Sequence, residues 1–312
     1  MSETKIILLC SSRFALPTMQ ELVFFKQLAV VAVPLSNPEI VENVEAVLTG
    51  TGVPIVKLEK KSFAKQLTDA IREYKVDLGL MMTFGYTLPA SVFELPEKGF
   101  FNVHPGPLPI YRGADPVFQQ IKNKEKQAGV TIHKLAEGLD TGPVVLKQMM
   151  QIDTTDSYGI VVSKLAGLAA SMVRVLLKLA NYGLAIPSRA QDESTAVYYK
   201  KQKAVDITID WENMDADTII ALINACNPWN KGAVTKINNQ IIRFLEAEKV
   251  IENSSAQKIA GEIIRIDENG MFISTIKGDE IRVSLIYTEE GFFSLLRIKR
   301  PGLMPGGRFE KI

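Results

Sequence analysis

The residues able to do chemistry are concentrated in one stretch, Phe101-Asn102-Val103-His104-Pro105-Gly106-Pro107-Leu108-Pro109-Ile110-Tyr111-Arg112-Gly113. Asn102 and His104 are two apart on a predicted strand, so their side chains leave the same face. A carboxamide can donate an N–H to a developing oxyanion. An imidazole can take or give a proton near neutral pH, and acyl transfer needs both. Such an imidazole needs an acid to orient it. Asp140, in Glu137-Gly138-Leu139-Asp140-Thr141-Gly142, is the candidate, and its flanking glycines suit a tight loop. The prolines after His104 stiffen that loop, while the glycines admit close backbone approach to a flat ligand. His133 alternates with Val130 and Ile132 on another predicted strand and reads as structural.

These side chains need elements to hold them. In the first half, apolar runs at 5–9, 28–34, 54–58, 78–82 and 100–103 read as strands, and helix-patterned segments fall at 17–25, 39–48 and 63–74. The alternation predicts an α/β fold with a Rossmann-like, mostly parallel sheet. Asn102 and His104 then sit at the C-terminal end of a strand, where open α/β sheets place their ligand crevice. A helix at 116–123, strands at 129–134 and 143–149, and a long helix at 158–182 complete a first domain over 1–183. A polar stretch at 184–205 reads as a linker. Over 206–312, one helix at 216–225 precedes short strands at 232–237, 241–246, 260–266, 271–274, 281–285 and 293–298. Their turn-rich spacing predicts a small, OB-like β-barrel.

Composition narrows the function classes. The chain has 312 residues, 46% of them hydrophobic and 23% charged, which excludes a disordered, collagen-like or disulfide-built protein. The formal net charge of +1 gives no global footprint for nucleic acid, so a polyanion would need a local patch. Cys10 and Cys226 match no metal or redox spacing, and two histidines cannot build a multi-histidine centre; no metal is expected. The apolar run at 6–10 is too short for a signal peptide. Lys164, Arg174 and Lys178 interrupt the apolar stretch at 158–186, which suits an amphipathic core helix. A cytoplasmic protein without membrane contact is the expectation. Cys10-Ser11-Ser12-Arg13-Phe14 after the first strand lacks a G-x-G-x-x-G turn, which sets aside a nicotinamide dehydrogenase.

Several motifs in order carry a family resemblance. Asn102-x-His104, Leu108-Pro109-x-Tyr111-Arg112-Gly113-Ala114-x-Pro116, Gly129-Val130-Thr131-Ile132 and Leu139-Asp140-Thr141-Gly142-Pro143 closely resemble the folate-dependent formyltransferases. Gln191-Asp192-Glu193-Ser194, Ile209-Asp210-Trp211 and Asn227-Pro228-Trp229 extend the resemblance along the methionyl-tRNA branch of that family. The resemblance implies 10-formyltetrahydrofolate as donor, a primary amine as acceptor and Asn102, His104 and Asp140 as the catalytic trio. In that scheme Asn102 and a protonated His104 stabilise the oxyanion, Asp140 orients His104, and no covalent enzyme intermediate forms. It further implies that Gly106, Pro107, Leu108 and Pro109 hold the folate, with Phe84, Gly85, Tyr86 and Leu88 on one side of the pterin and Glu137 and Gly138 on the other. Arg13, Phe14 and Arg112 are the implied acceptor contacts.

The sequence departs from that branch in two places. The long basic, glycine-rich loop expected after the second strand is missing, and Val33-Pro34-Leu35-Ser36-Asn37-Pro38-Glu39 runs directly into a helix bearing Glu42 and Glu45. Pro105-Gly106-Pro107 also replaces the branch's small-Ser-Leu sequence. Residues 206–312 carry 13 Lys and Arg against 16 Asp and Glu, with one basic cluster of Arg297, Lys299, Arg300 and Arg308. Trp211 and Trp229 read as core aromatics. Methionyl-tRNA, charged on the initiator, is the expected acceptor. The alternative is a small amine such as an amino sugar nucleotide or a carrier-bound amino acid. A catalytically silent binding protein would have lost part of the trio, and all three residues are present.

Overall fold

The computed structural model describes residues 3–250, 259–295 and 303–311. Its first half alternates β1 (Ile6–Cys10), α1 (Leu16–Phe24), β2 (Leu28–Pro34), α2 (Pro38–Leu48), β3 (Ile55–Leu58), α3 (Phe63–Glu73), β4 (Leu78–Met82), α4 (Ala90–Phe93) and β5 (Phe100–His104). β1 and β5 are buried at every position, as strands covered on both faces must be. These five strands pair in parallel in the order β3-β2-β1-β4-β5. α2 starts where the sequence says it should: Asn37 caps it by accepting from the Ile40 N–H at 3.4 Å, and Pro38 takes the first helical position.

β6 (Arg112–Gly113), α5 (Pro116–Lys122), β7 (Gln127–Lys134), β8 (Val144–Gln151), α6 (Tyr158–Asn181) and β9 (Tyr198–Tyr199) follow. β7 runs antiparallel to β5, and β8 completes a seven-stranded, mostly parallel sheet. β6 and β9 form a two-stranded pair of their own. α6 is long and apolar enough, by length and composition, to cross a membrane, yet half of its apolar window is buried within the protein. Leu165, Ala169, Met172 and Leu176 line its buried side, and Lys164, Arg174 and Lys178 lie exposed. That is the amphipathic core helix its sequence indicated.

The chain forms two compact units whose segments interleave. One holds residues up to Gly113, Ala128–Met150 and Val162–Tyr199; the other holds Ala114–Gln127, Gln151–Val161 and the chain from Lys200 onward. The polar stretch expected as a linker over 184–205 therefore stays with the first unit through Tyr199. The reason is hydrogen bonding. Arg189 and Val144 exchange two backbone bonds of 2.8 Å, and β9 pairs with β6. The expected first domain over 1–183 also loses α5 and the turn before α6 to the second unit. There α5 packs on α7 (Ala216–Cys226), and Lys124 Nζ donates to Thr218 Oγ1 at 3.1 Å.

The second unit carries an antiparallel sheet of β10 (Ala233–Ile237), β11 (Gln240–Val250), β12 (Ile263–Asp267), β13 (Gly270–Ser274), β14 (Glu280–Thr288) and β15 (Gly291–Ser294). Its order is β10-β11-β14-β13-β12, with β15 on β14. Residues near the C-terminus close the open edges. Glu310 pairs with Lys236 on β10, and Arg308 pairs with Glu262 just before β12. Phe309 N–H donates to the Gly261 carbonyl at 2.8 Å. Closure of this kind removes free edges, as in a small barrel. Inside, Phe309 stacks on Trp211 at 5.8 Å between ring centres and meets Phe244 edge-on at 5.1 Å. Trp211 is a core residue, as expected, and its indole N–H is satisfied by Thr235 Oγ1 at 2.9 Å. Trp229 is 42% exposed. Of the strand expected at 293–298, positions 296–298 lie outside the described residues, as do Arg297, Lys299 and Arg300.

Phe309 is 1% exposed and is the aromatic plug of this closure. Phe309→Ala is expected to destabilise the barrel by roughly 3–5 kcal/mol, read from urea unfolding followed by tryptophan fluorescence. A loss under about 1 kcal/mol would show that the closing segment is dispensable.

Candidate active site

β5 ends at His104 on the C-terminal edge of the parallel sheet. Its antiparallel register with β7 sets Asn102 opposite His133 and His104 opposite Thr131, so all four side chains occupy one face. Asn102, His104 and His133 are almost fully buried. Asp140 reaches the same face from the loop between β7 and β8. Its backbone is left-handed, with φ of 56°, a conformation uncommon for any residue but glycine. Two residues on, the chain passes so close to β7 that a Cβ at Gly142 would lie 1.7 Å from the Lys134 carbonyl oxygen. Only glycine fits there.

The hydrogen bonds fix protons as well as positions. Asn102 Nδ2 lies 3.1 Å from Asp140 Oδ1 and 3.1 Å from His133 Nε2. A carboxylate only accepts, so Nδ2 is the donor, and His133 Nε2 must be an acceptor. His133 Nδ1–H then donates to the Lys134 carbonyl at 2.9 Å. His104 Nε2–H donates to the Tyr111 carbonyl at 2.6 Å, which leaves Nδ1 facing Asp140 Oδ2 at 3.7 Å. Asp140 Oδ2 also accepts the Gly113 N–H at 2.9 Å.

Burial lowers the His104 pKa below the ordinary imidazole value; Asp140 pulls it back up, His133 pushes it further down, and burial prevails. Resting His104 is therefore neutral, with its free lone pair on Nδ1. The protonated His104 implied by the family resemblance is not the resting state here; it arises only once Nδ1 has taken a proton. Burial alone would raise the Asp140 carboxyl. The pairing with His104 and the Gly113 N–H outweigh it and hold Asp140 at about 2, ionised across the neutral range.

The other residues singled out by sequence divide into two groups. Thr131 Oγ1 donates to the Gly106 carbonyl at 2.7 Å and accepts the Leu108 N–H at 3.1 Å, and Lys147 Nζ donates to the Leu108 carbonyl at 3.1 Å. The loop of Gly106, Pro107, Leu108 and Pro109 is thus pinned directly over β7. Phe84 and Tyr86 are half-buried on the apolar cluster that contains Leu88, and so is Leu135, which leads into Glu137 and Gly138. Gly85 N–H donates to Ser11 Oγ at 3.1 Å. The two segments expected to flank a pterin therefore share one apolar footing.

The expected acceptor contacts are placed differently. Phe14 is 2% exposed and turned into the core, because Ser12 caps the short helical turn that follows β1. Arg13 is on the surface, paired with Glu39 at 2.8 Å. Arg112 is fully buried. Its five N–H groups are all spent on Gln191, Glu193 and Tyr198, which leaves none for a substrate. His133 and Gln191, in turn, belong to the site network, although the sequence marks His133 as structural and Gln191 as part of a polar stretch.

Cys10 and Cys226 are buried thiols that burial pushes up to about 12, so neither offers a thiolate nucleophile. Among the described residues, no group of three or more His, Cys, Asp and Glu is placed to hold a metal ion. A neutral base beside a fixed carboxylate and a carboxamide serves the direct passage of an acyl-type group from one bound substrate to another. The class is a group transferase on an α/β sheet. The chain belongs to the formyl transferase family: residues 29–176 match the family's formyl transferase domain and residues 201–291 its C-terminal domain.

Relatives include the methionyl-tRNA formyltransferase of Kosmotoga olearia, 32% identical over 75% of this chain and 74% of its own length. That of Syntrophomonas wolfei is 27% identical over 98% of this chain and 95% of its own. Among solved structures, HypX from Aquifex aeolicus in complex with tetrahydrofolic acid superposes with a TM-score of 0.67 at 19% identity, covering 95% of this chain. This chain spans 47% of the HypX chain. WlaRD, a sugar 3N-formyl transferase crystallised with dTDP and 5-N-formyl-THF, gives a TM-score of 0.67 at 18% identity over 91% of this chain and 98% of its own.

With two histidines in the chain, NMR can follow each imidazole separately. His104 is expected to titrate with a midpoint below 6.5, because burial dominates. Asp140→Asn removes the charge that raises it, so the midpoint is expected to fall further. A rise in that variant would show that the carboxylate does not act on Nδ1.

Proposed function

We propose that this chain transfers the formyl group of 10-formyltetrahydrofolate to the amino group of methionyl-tRNA in the cytoplasm. The observation that carries the chemistry is the neutral His104 Nδ1 held 3.7 Å from the ionised Asp140. The donor, when bound, supplies the formyl carbon at the mouth of this pair. His104 Nδ1 takes the proton released as the amine nitrogen bonds to that carbon, and Asp140 balances the imidazolium that results. Asn102 turns one amide hydrogen from His133 to the developing oxyanion. His104 then returns the proton to the folate nitrogen as its bond to the carbon breaks, and the trio regains its starting state. No bond to the protein forms at any point.

The acceptor rests on the relatives named methionyl-tRNA formyltransferases, which match this chain across both of its parts. A second reading, a small amine such as an amino sugar nucleotide, is favoured by one observation. β2 and α2 are joined by three residues, Leu35-Ser36-Asn37, which leave no loop to reach along an RNA stem.

The test is formylation of charged initiator tRNA beside a panel of amino sugar nucleotides, with 10-formyltetrahydrofolate as donor. Product with the tRNA and none with the sugars is the expected result; the reverse would replace the acceptor. His104→Ala is expected to abolish transfer to the productive acceptor. Asn102→Ala is expected to lower kcat by roughly 10²–10³-fold. Full activity of His104→Ala would remove the proposed base.

A further inference from the structure

Asp140 is held from behind as well as in front. Gln191 Nε2 donates both of its hydrogens to the backbone of the Asp140 loop, one to the Asp140 carbonyl and one to the Gly142 carbonyl, each at 2.7 Å. Its Oε1 accepts Arg112 Nε at 3.1 Å and Nη2 at 2.9 Å. The amide is thereby fully satisfied and can lie only one way round. Arg112 is held in turn by Glu193 through both carboxylate oxygens, at 2.8 and 2.6 Å, and by the Tyr198 hydroxyl at 2.7 Å. The backbone of the same segment is tied at both ends. Arg189 bonds to Val144, Val197 N–H donates to the Pro109 carbonyl at 3.1 Å, and Arg112 N–H donates to the Val197 carbonyl at 3.0 Å. A Cβ at Gly113 would lie 2.3 Å from the Tyr199 carbonyl oxygen, so the two backbones touch there.

Residues 189–199 therefore connect two loops that are far apart in sequence: the one after His104, which supplies the Gly113 N–H and the Tyr111 carbonyl, and the one that carries Asp140. We propose that Gln191 is a positioning residue for the transfer site, its amide holding Asp140 in the left-handed backbone conformation that aims the carboxylate at Asn102, Gly113 and His104. Arg112 holds Gln191 and does not bind the acceptor. A left-handed Asp costs conformational energy that the loop does not recover alone, since a loop end of this kind relaxes unless bonded from outside. Gln191 supplies two bonds at that point. The inference rests on the catalytic assignment of Asp140 and His104, and it adds the device that keeps them in register.

The test uses the full chain with two substitutions. Gln191→Glu keeps an acceptor for Arg112 and strengthens that pairing, but it loses both N–H donors to the Asp140 loop. Gln191→Ala loses both sides and covers the case in which the first variant does not fold. Either is expected to lower kcat by about tenfold to a hundredfold, with KM for the folate and the acceptor changed less than about threefold, because a misplaced group costs the chemical step and leaves binding sites intact.

His104 gives a readout that needs no turnover. The titratable groups facing it are Asp140 and His133. Release of the Asp140 loop is expected to move its NMR midpoint down, towards that of Asp140→Asn. If a folded Gln191 variant keeps its kcat and its His104 midpoint, or loses only in KM, the proposal is overturned. If the wild type formylates no acceptor while the midpoint still moves in the variants, the positioning role stands and the formyl-transfer reading falls.

Discussion

A carboxylate buried as deeply as Asp140 exists only where its charge is answered on the spot, because desolvation otherwise neutralises it. Here the answer comes from the Gly113 N–H and the Asn102 amide, which donate to it, and from His104, whose Nδ1 stands 3.7 Å away and becomes its counter-ion once protonated. The groups around it arrive on three pieces of chain: Asn102 and His104 from β5, His133 from β7 and Gly113 from β6. The first unit is arranged so that these pieces meet. β7 has to run antiparallel to β5 and one pleat in register for His133 to face Asn102, and β6 has to be pinned by β9 for Gly113 to point its N–H inward.

The same carboxylate decides what His104 is. Burial and Asp140 pull the imidazole in opposite directions, and burial prevails. A fully ionic pair would start with the proton already in place and could not accept another. A histidine without the carboxylate would take a proton only at great cost in so dry a pocket. The observed balance gives a base that is empty at rest and whose charged form is stabilised only as it appears. The Tyr111 carbonyl completes this by occupying Nε2–H, which confines the proton traffic to Nδ1.

Much of this was legible in the sequence because its signals are local. Runs of apolar residues of strand length, separated by helical periodicity, placed β1 to β5 within a residue or two. Two-residue spacing put Asn102 and His104 on one face, and paired glycines marked the Asp140 loop. What stayed hidden is non-local. β7 is buried from Ala128 to His133, so alternation along it carries no information about which face matters. Gln191 sits in a polar stretch and bonds to backbone carbonyls, which no residue type advertises. Arg112 is an implied acceptor contact in the sequence, and only the segment that covers it shows its donors spent within the protein. The interleaving of α5 with the second unit, and the closure of the barrel by Arg308–Glu310, likewise depend on contacts between segments far apart in the chain.

The groups proposed to move protons and stabilise charge, Asn102, His104 and Asp140, all lie inside one unit. In the proposed mechanism none of these groups depends on what presents the amine. The second unit's basic side chains bear on the choice of acceptor. Lys249 pairs with Asp217 and Asp279, Lys277 with Asp215, Arg282 with Glu248 and Lys311 with Asp210. A phosphate reaching any of these must displace a carboxylate already bonded there, so it gains less than it would from unpaired lysines, whose counterions are merely diffuse. For these four described side chains, positive charge is committed to the second unit's own carboxylates, and an acceptor touching them gains more from shape and hydrogen bonding than from phosphate attraction.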